Sequence, residues 1–294
     1  MTTMADLVSD VRRMMYGSMS EKLNIIATAA ASGVDEIELQ LDVTGISEGM
    51  IVSSGLNVWY VKGVSPSDKK VFVIPYIDGS PGSALTVGDI VYIRPRMTEW
   101  YAFNALNDEI RSLSSPTNGL YQLKSWTVDS DPTYQTYDVP AANSDLLSLS
   151  RVRYRIPGTT DVFNDLPTIA WRWHTGTGTN RIQLLRNIPG GTDVQFVYKG
   201  PFTPATALTD NVVTTCGLAE TMVDIPPLGV AMLLLHTTEN RRNQIQTQVD
   251  ARRTDEVQSG GNTSAATQMR RLYRDRIQDE YARLNAKLPI YQGV

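Results

Sequence analysis

The sequence predicts an α+β chain: a helical bundle framework, closed by an αα-hairpin, into which a small β-domain and a β-sandwich-like domain, both antiparallel, are inserted. Three observations predict it. Apolar residues recur at spacings of three and four near both ends and in the middle of the chain, the period of a helix with one buried face. Between those stretches the period changes to two, the signature of half-buried strands. Gly and Pro cluster where one period gives way to the other. With 294 residues and 41% hydrophobic content, the chain has enough apolar material for one large core or two to three small ones.

The first helix is expected over Met4 to Tyr16, where Leu7, Val8, Val11, Met14 and Met15 form a stripe and Gly17 ends it. Ser20 and Glu21, ahead of Ile25, Ile26 and an Ala-rich run, suggest a second short helix reaching about Ala31. Gly33 stops it, so residues 1–33 read as the first part of the framework. Residues 34–97 then read as the small β-domain. Ile37, Leu39 and Leu41 alternate with polar neighbours, and further strands are expected at Met50 to Val52, Val58 to Val64, Val71 to Tyr76 and Ile90 to Arg94. Helix returns over 98–116: Thr98 can cap it, Phe103, Leu106, Ile110 and Leu113 share a face, and Pro116 blocks continuation.

Residues 117–225 read as the sandwich-like insertion. Its expected strands are Tyr121 to Val128, Thr136 to Val139, Leu147 to Ile156, Thr168 to His174, Arg181 to Leu185 and Asp193 to Tyr198. Pro226 and Pro227 open the closing hairpin, 226–294, because proline is tolerated in a first helical turn. Its helices span Leu228 to Val257 and Thr263 to Leu288, with Ser259, Gly260 and Gly261 between them. Tyr273, Ile277, Tyr281, Leu284 and Leu288 lie on one face of the second. The helical faces predict a shared core of Leu7, Val11, Phe103, Leu106, Ile110, Ile277, Tyr281 and Leu284.

Charge and residue usage narrow the chemistry. The net charge of -4 argues against a general nucleic-acid coat. Between Arg241 and Lys287, however, ten basic residues face six acids, leaving the hairpin at +4 and the remainder at -8. The pairs Arg271 with Asp275, Arg276 with Glu280 and Asp279 with Arg283 have the spacing to absorb part of this. No apolar run approaches the ~20 residues of a membrane-spanning helix, and MTTMADLVSD does not read as a secretory signal, so the expectation is a soluble protein made in a cytoplasm.

One cysteine, Cys216, excludes an internal disulfide. The two histidines, His174 and His236, lack the spacing that brings two metal ligands onto one helical face. The run HTGTGTN, 174–180, has neither the Lys-Ser/Thr pair of a phosphate loop nor a strand-to-helix setting, and reads as a hairpin tip. Asp161, Asp165 and Asp193 are loop carboxylates of the ordinary kind. Trp171, Trp173, Tyr198 and Phe202 alternate as core aromatics do, although an exposed Trp171–Trp173 stripe would favour a carbohydrate-binding module. The expectation is therefore no catalytic residue, no metal and no cofactor.

The wording of the closing segment adds a family resemblance. VDARRTDEV (Val249 to Val257) and MRRLYRDRIQDEYARLNAKLP (Met269 to Pro289) resemble the end of tailed-bacteriophage head-to-tail connector adaptors. The phrases GISEGMIV, VWYVKGV and VGDIVYIRPR, followed by EWYAFNALNDEI (Glu99 to Ile110), resemble the small β-domain and following helix of that family. The resemblance covers about two thirds of the chain and does not extend to the second β-domain. It implies a non-enzymatic virion protein of the neck, forming a homo-oligomeric ring, expected to be a dodecamer. Its implied partners are the portal protein and tail or stopper proteins, with DNA passing through the ring without sequence-specific contact and no membrane involved.

In that setting Ile290, Tyr291, Gln292, Gly293 and Val294, a short apolar end beyond Pro289, are candidate portal contacts. Arg252, Arg253, Arg270, Arg271 and Arg274 are candidate intersubunit contacts. Alternative readings are a stopper or other neck or tail-completion protein, a carbohydrate-binding module of a tail, or an enzyme with a cleft of converging carboxylates.

Overall fold

The structure is a computed structural model, and it describes residues 2–17, 21–31, 33–75, 83–130, 135–155, 169–176, 179–188, 190–235 and 261–287. The chain divides into two compact units. The first comprises Met1–Ile110 with Pro204–Arg276, the second Arg111–Thr203 with Ile277–Val294.

In the first unit, helix α1 (Met4–Tyr16) begins at a capping box in which the Thr3 hydroxyl accepts from the Asp6 amide and the Asp6 carboxylate accepts from Thr3. Met4, Leu7, Val8 and Val11 are its buried stripe, and Gly17 at φ 68° closes it. A six-stranded antiparallel sheet follows, built from β1 (Lys22–Ile25), β2 (Glu36–Glu38), β3 (Ile51–Ser54), β4 (Asn57–Ser65), β5 (Lys70–Pro75) and β6 (Ile90–Ile93) in the order β1-β6-β3-β4-β5-β2. Its two edges meet beyond the ends of β1 and β2. The Ala27 amide donates to the Glu38 carbonyl and the Gln40 amide to the Ile25 carbonyl, each at 2.9 Å. Asn24, buried, seals the same seam by accepting from the Leu41 amide at 2.9 Å. The curled sheet encloses a core of Ile26, Ile37, Leu39, Val52, Trp59, Val61, Val71, Val73 and Val91.

Helix α2 (Glu99–Leu113) has Thr98 as its cap, whose hydroxyl accepts from the Tyr101 amide at 3.2 Å. Ala102, Phe103, Leu106 and Ile110 are buried. Asn107 is buried on the same helix and exchanges two hydrogen bonds with the Ala205 backbone, at 2.8 and 3.0 Å. The 208–211 segment ties down the start of α1, accepting from the Met4 and Ala5 amides. A further helix, α3, covers 225–235 with Pro226 and Pro227 in its first turn, and α4 is Gly261–Lys287.

The second unit holds two three-stranded antiparallel sheets. One is β10 (Trp171–Gly176), β11 (Thr179–Leu184) and β8 (Thr136–Asp138); the other is β7 (Gln122–Asp129), β12 (Asp193–Gly200) and β9 (Ser148–Tyr154). Tyr137, Ile182 and Leu184 of the first face a common core with Val152, Val194, Phe196 and Tyr198 of the second. Trp126 stacks on Phe196 with ring centroids 4.9 Å apart and meets Tyr198 edge-on. The strand expectations for this region are matched closely in position.

Three expectations are corrected. The chain is not a helical bundle framework: among the described residues three antiparallel sheets organise it, with four helices and about 30% helical content. Periodicity shows that a helix has an apolar face, not what covers that face. Here the irregular 204–211 segment supplies part of the cover, through Ala205 on α2 and Leu208 to Asp210 on α1. The expected shared core is corrected in part: Leu7, Val11, Phe103, Leu106, Ile110 and Ile277 are buried, whereas Leu284 is half-buried and Tyr281 is 46% exposed.

The helix expected over 20–31 is instead strand β1, paired with β6 from Lys22↔Ile93 to Ile25↔Ile90. Ile25 and Ile26 suit a pleated surface, and the Ala run beyond them, with its good helix propensity, is held in a bridge between Ala30 and Leu85. The connection of the closing hairpin, 236–260, lies outside the described residues. Replacing Leu106 by Ala should cost ~2 to 5 kcal/mol, because the residue is fully buried. Replacing the exposed Leu272 should change stability by only ~0.5 kcal/mol or less. Equilibrium denaturation of the two variants checks the assignment, and equal losses would contradict it.

Candidate functional site

The most concentrated set of charged groups in the first unit is centred on Arg12. Helix α1 places Arg12 one turn after Val8, at the border of the apolar stripe, so its stem is buried while the guanidinium reaches the border. That guanidinium pairs with Glu21, just ahead of β1, and with Glu99 at 3.4 Å, in the first turn of α2. It also lies 4.4 Å over the Tyr92 ring of β6. The three charged side chains are only 13 to 20% exposed. They border a cleft of about 460 Å³ lined by Ser9, Tyr16, Leu23, Tyr92 and Leu208.

Burial pushes the Glu99 carboxyl above its ordinary range, outweighing the opposing pull of Arg12 and of the Tyr92 hydrogen bond. Burial likewise raises the Tyr16 phenol, against the influence of Arg96, whose guanidinium sits 6.0 Å from the Tyr16 ring. Two carboxylates sharing one cation hold α1, β1 and α2 together. Both carboxylates are engaged by Arg12, so the arrangement acts as an ion-paired staple.

Among the described residues the remaining chemistry-bearing side chains do not converge. Cys216 is buried, and burial pushes its thiol up to about 11, so it stays protonated at neutral pH. His236, Asp161 and Asp165 lie outside the described residues. The backbone of His174 is in β10, paired with Arg181. Asp193 is held by Arg155 at 2.5 Å. Among the described residues no three His, Cys, Asp or Glu side chains are placed to hold a metal ion. Trp171 packs partly buried against the sandwich core while Trp173 is 39% exposed, and their rings meet edge to face at 84°. Rings crossed at this angle make no flat platform for a sugar.

Of the residues picked out from the sequence, Arg270, Arg271 and Arg274 are exposed on α4, none in an ion pair with a described residue. Arg252, Arg253 and Ile290, Tyr291, Gln292, Gly293 and Val294 lie outside the described residues. The expected helical pairs are replaced. Arg276 reaches Asp224 at 2.7 Å, and Arg283 bonds Glu280, not Asp279, at 2.7 Å. Arg12, Glu21 and Glu99 were not singled out from the sequence. The available signal was a charged residue four positions after Val8, beside an otherwise apolar stripe.

No protein-family model matches the chain, and no curated protein matches it.

The staple has a testable asymmetry. Replacing Arg12 by Ala strands two poorly solvated carboxylates and should cost about 2 kcal/mol or more. Glu99→Gln should be neutral or stabilising at neutral pH, since burial already disfavours the charged form. A carboxyl raised by folding makes stability fall as pH rises from the ordinary Glu range through the raised value, and E99Q should flatten that slope. Denaturant melts between pH 4 and 8 measure both effects; equal destabilisation by the two variants would contradict the account.

Proposed function

We propose that this chain is a structural virion protein, a head-to-tail connector adaptor that assembles as a ring beneath the portal and joins the head to the tail. The observation that carries the reading is the closing helix α4. It is the segment whose wording resembles the adaptors, and its 27 residues span about 40 Å at 1.5 Å per residue. Only Tyr273, Ile277 and Glu280 are buried along its described side chains, while Leu272, Arg270, Arg271, Arg274 and Tyr281 are exposed. A long helix with apolar and cationic residues left in solvent suits a protein whose neighbours complete it.

In this reading the arginines of α4 meet acidic surface on adjacent copies, and the end of the chain, Ile290 to Val294, docks on the portal. Each exposed ion pair is worth little by itself. A ring repeats each pair in every copy, so the sum is large. The sandwich domain, to which no adaptor wording extends, is then available for contacts with tail or stopper proteins.

The test uses purified full-length protein, alone and mixed with portal complexes, viewed by negative-stain microscopy. Rings on portals are expected. Deleting residues 290–294 should abolish portal docking while circular dichroism and melting temperature stay unchanged. Changing Arg270, Arg271 and Arg274 together to Glu should reduce ring formation. Normal joining of heads to tails by both variants would overturn the reading.

A further inference from the structure

We propose that the mouth of the six-stranded barrel is a binding site for phosphate groups. The site is a cleft of about 350 Å³ lined by Lys22, Gly45, Met50, Ile93, Arg94 and Arg96, with Glu21 at its border. Three cations thus line one opening, while the nearby Arg12 is engaged by two carboxylates. None of the three is ion-paired with a described residue, and Glu21 has its charge met by Arg12. The other acid near Lys22, Asp42, is kept ionised by the Thr44 amide and hydroxyl and by Lys22 itself, so it competes with an incoming anion for that ammonium.

Two local features locate the cations. The Lys22 ammonium lies against Gly45 at the barrel mouth. Arg94 adopts φ 53°, the left-handed region that an arginine enters at a cost. Its amide closes the strand by donating to the Ile51 carbonyl at 2.8 Å, and the turn it makes carries the chain from β6 to Arg96 on the same cleft. Ile93 and Met50 add apolar surface to its lining.

Lysine and arginine donors around an opening of this size match the oxygens of a phosphate or diphosphate, or successive phosphates of a DNA backbone. Both sources share that chemistry, and the inference stands independently of the connector reading.

The experiment titrates full-length protein at low salt with inorganic pyrophosphate and, separately, with a short DNA duplex, for the wild type, Lys22→Gln, Arg94→Gly, Arg96→Gln and the control Lys62→Gln. Lys62 is an exposed cation on the same barrel outside this cleft. Arg94→Gly keeps or raises the melting temperature, since glycine accepts the left-handed turn, and so separates loss of the guanidinium from loss of fold. Each of the three cleft variants should weaken binding about tenfold, and in the DNA arm should reduce the salt slope by about 1, while K62Q changes neither. Weakening in the pyrophosphate arm alone assigns a small anion, and weakening in the DNA arm alone assigns the phosphodiester backbone. The proposal is overturned if neither probe binds, or if the cleft variants and K62Q behave alike.

Discussion

The first unit depends on one seam. Six short strands leave two unpaired edges, and an open edge wastes hydrogen bonds and invites pairing with other chains. Here the edges are joined to one another through Ala27, Glu38, Ile25 and Gln40, and Asn24 fixes the register of the join. Its carboxamide oxygen accepts from the Ile25 and Leu41 amides, at 2.8 and 2.9 Å, while its nitrogen faces the Leu41 and Asp42 carbonyls. A buried carboxamide is tolerable only when satisfied in this way. Because side chains alternate along a strand, fixing Asn24 at the seam also fixes its neighbours: Leu23 is left in solvent, and Lys22 pairs in register with Ile93 at the barrel mouth.

That seam explains which parts of the fold were legible in the sequence. Strands β3 to β6 and all six strands of the second unit announce themselves through alternation and turn residues, which are local. Helices α1 and α2 do the same through Leu7, Val11, Phe103 and Leu106, and α2 also through its cap Thr98. Strand β1 does not, because its Ala-rich continuation favours helix locally and its sheet partner, β6, is about 70 residues away. A non-local partner overrides propensity, and no window of sequence contains that partner. The bundle failed for a related reason. An apolar stripe of helix looks identical whether a helix, a sheet or the Ala205 to Asp210 segment covers it.

The charged groups divide by the same logic. Spacing along α4 suggested Arg276 with Glu280, yet Arg276 finds Asp224, 52 residues away, and donates to the Thr221 carbonyl as well. Local i,i+4 pairs contribute only ~0.3 to 0.5 kcal/mol, so a fork-shaped bond to a carboxylate and a carbonyl readily displaces them. Arg12 is the extreme case, desolvated and shared between Glu21 and Glu99. Its guanidinium is fixed in the scaffold, and neutralising it leaves charge stranded. Lys22, Arg94 and Arg96 are exposed by comparison and in no ion pair with a described residue, Arg96 lying 6.0 Å from the Tyr16 ring.

Helix α4 poses the remaining physical question, namely what stabilises 27 residues with so few buried positions. Isolated helices in water are marginal, and most helical stability in proteins comes from a packed face. Along α4 that face consists of Tyr273, which donates to Glu109 of α2, then Ile277 and Glu280, with Arg276 tied to Asp224. These contacts span about two turns. The rest of the helix has good helix formers but leaves Leu272 exposed, and a hydrophobic side chain in water offers nothing to hold the helix in place. If adjacent copies cover that surface, the apolar area removed from water and the many weak arginine pairs are gained together, only on assembly. The stability of the closing helix and the formation of the ring would then be one equilibrium, dependent on protein concentration.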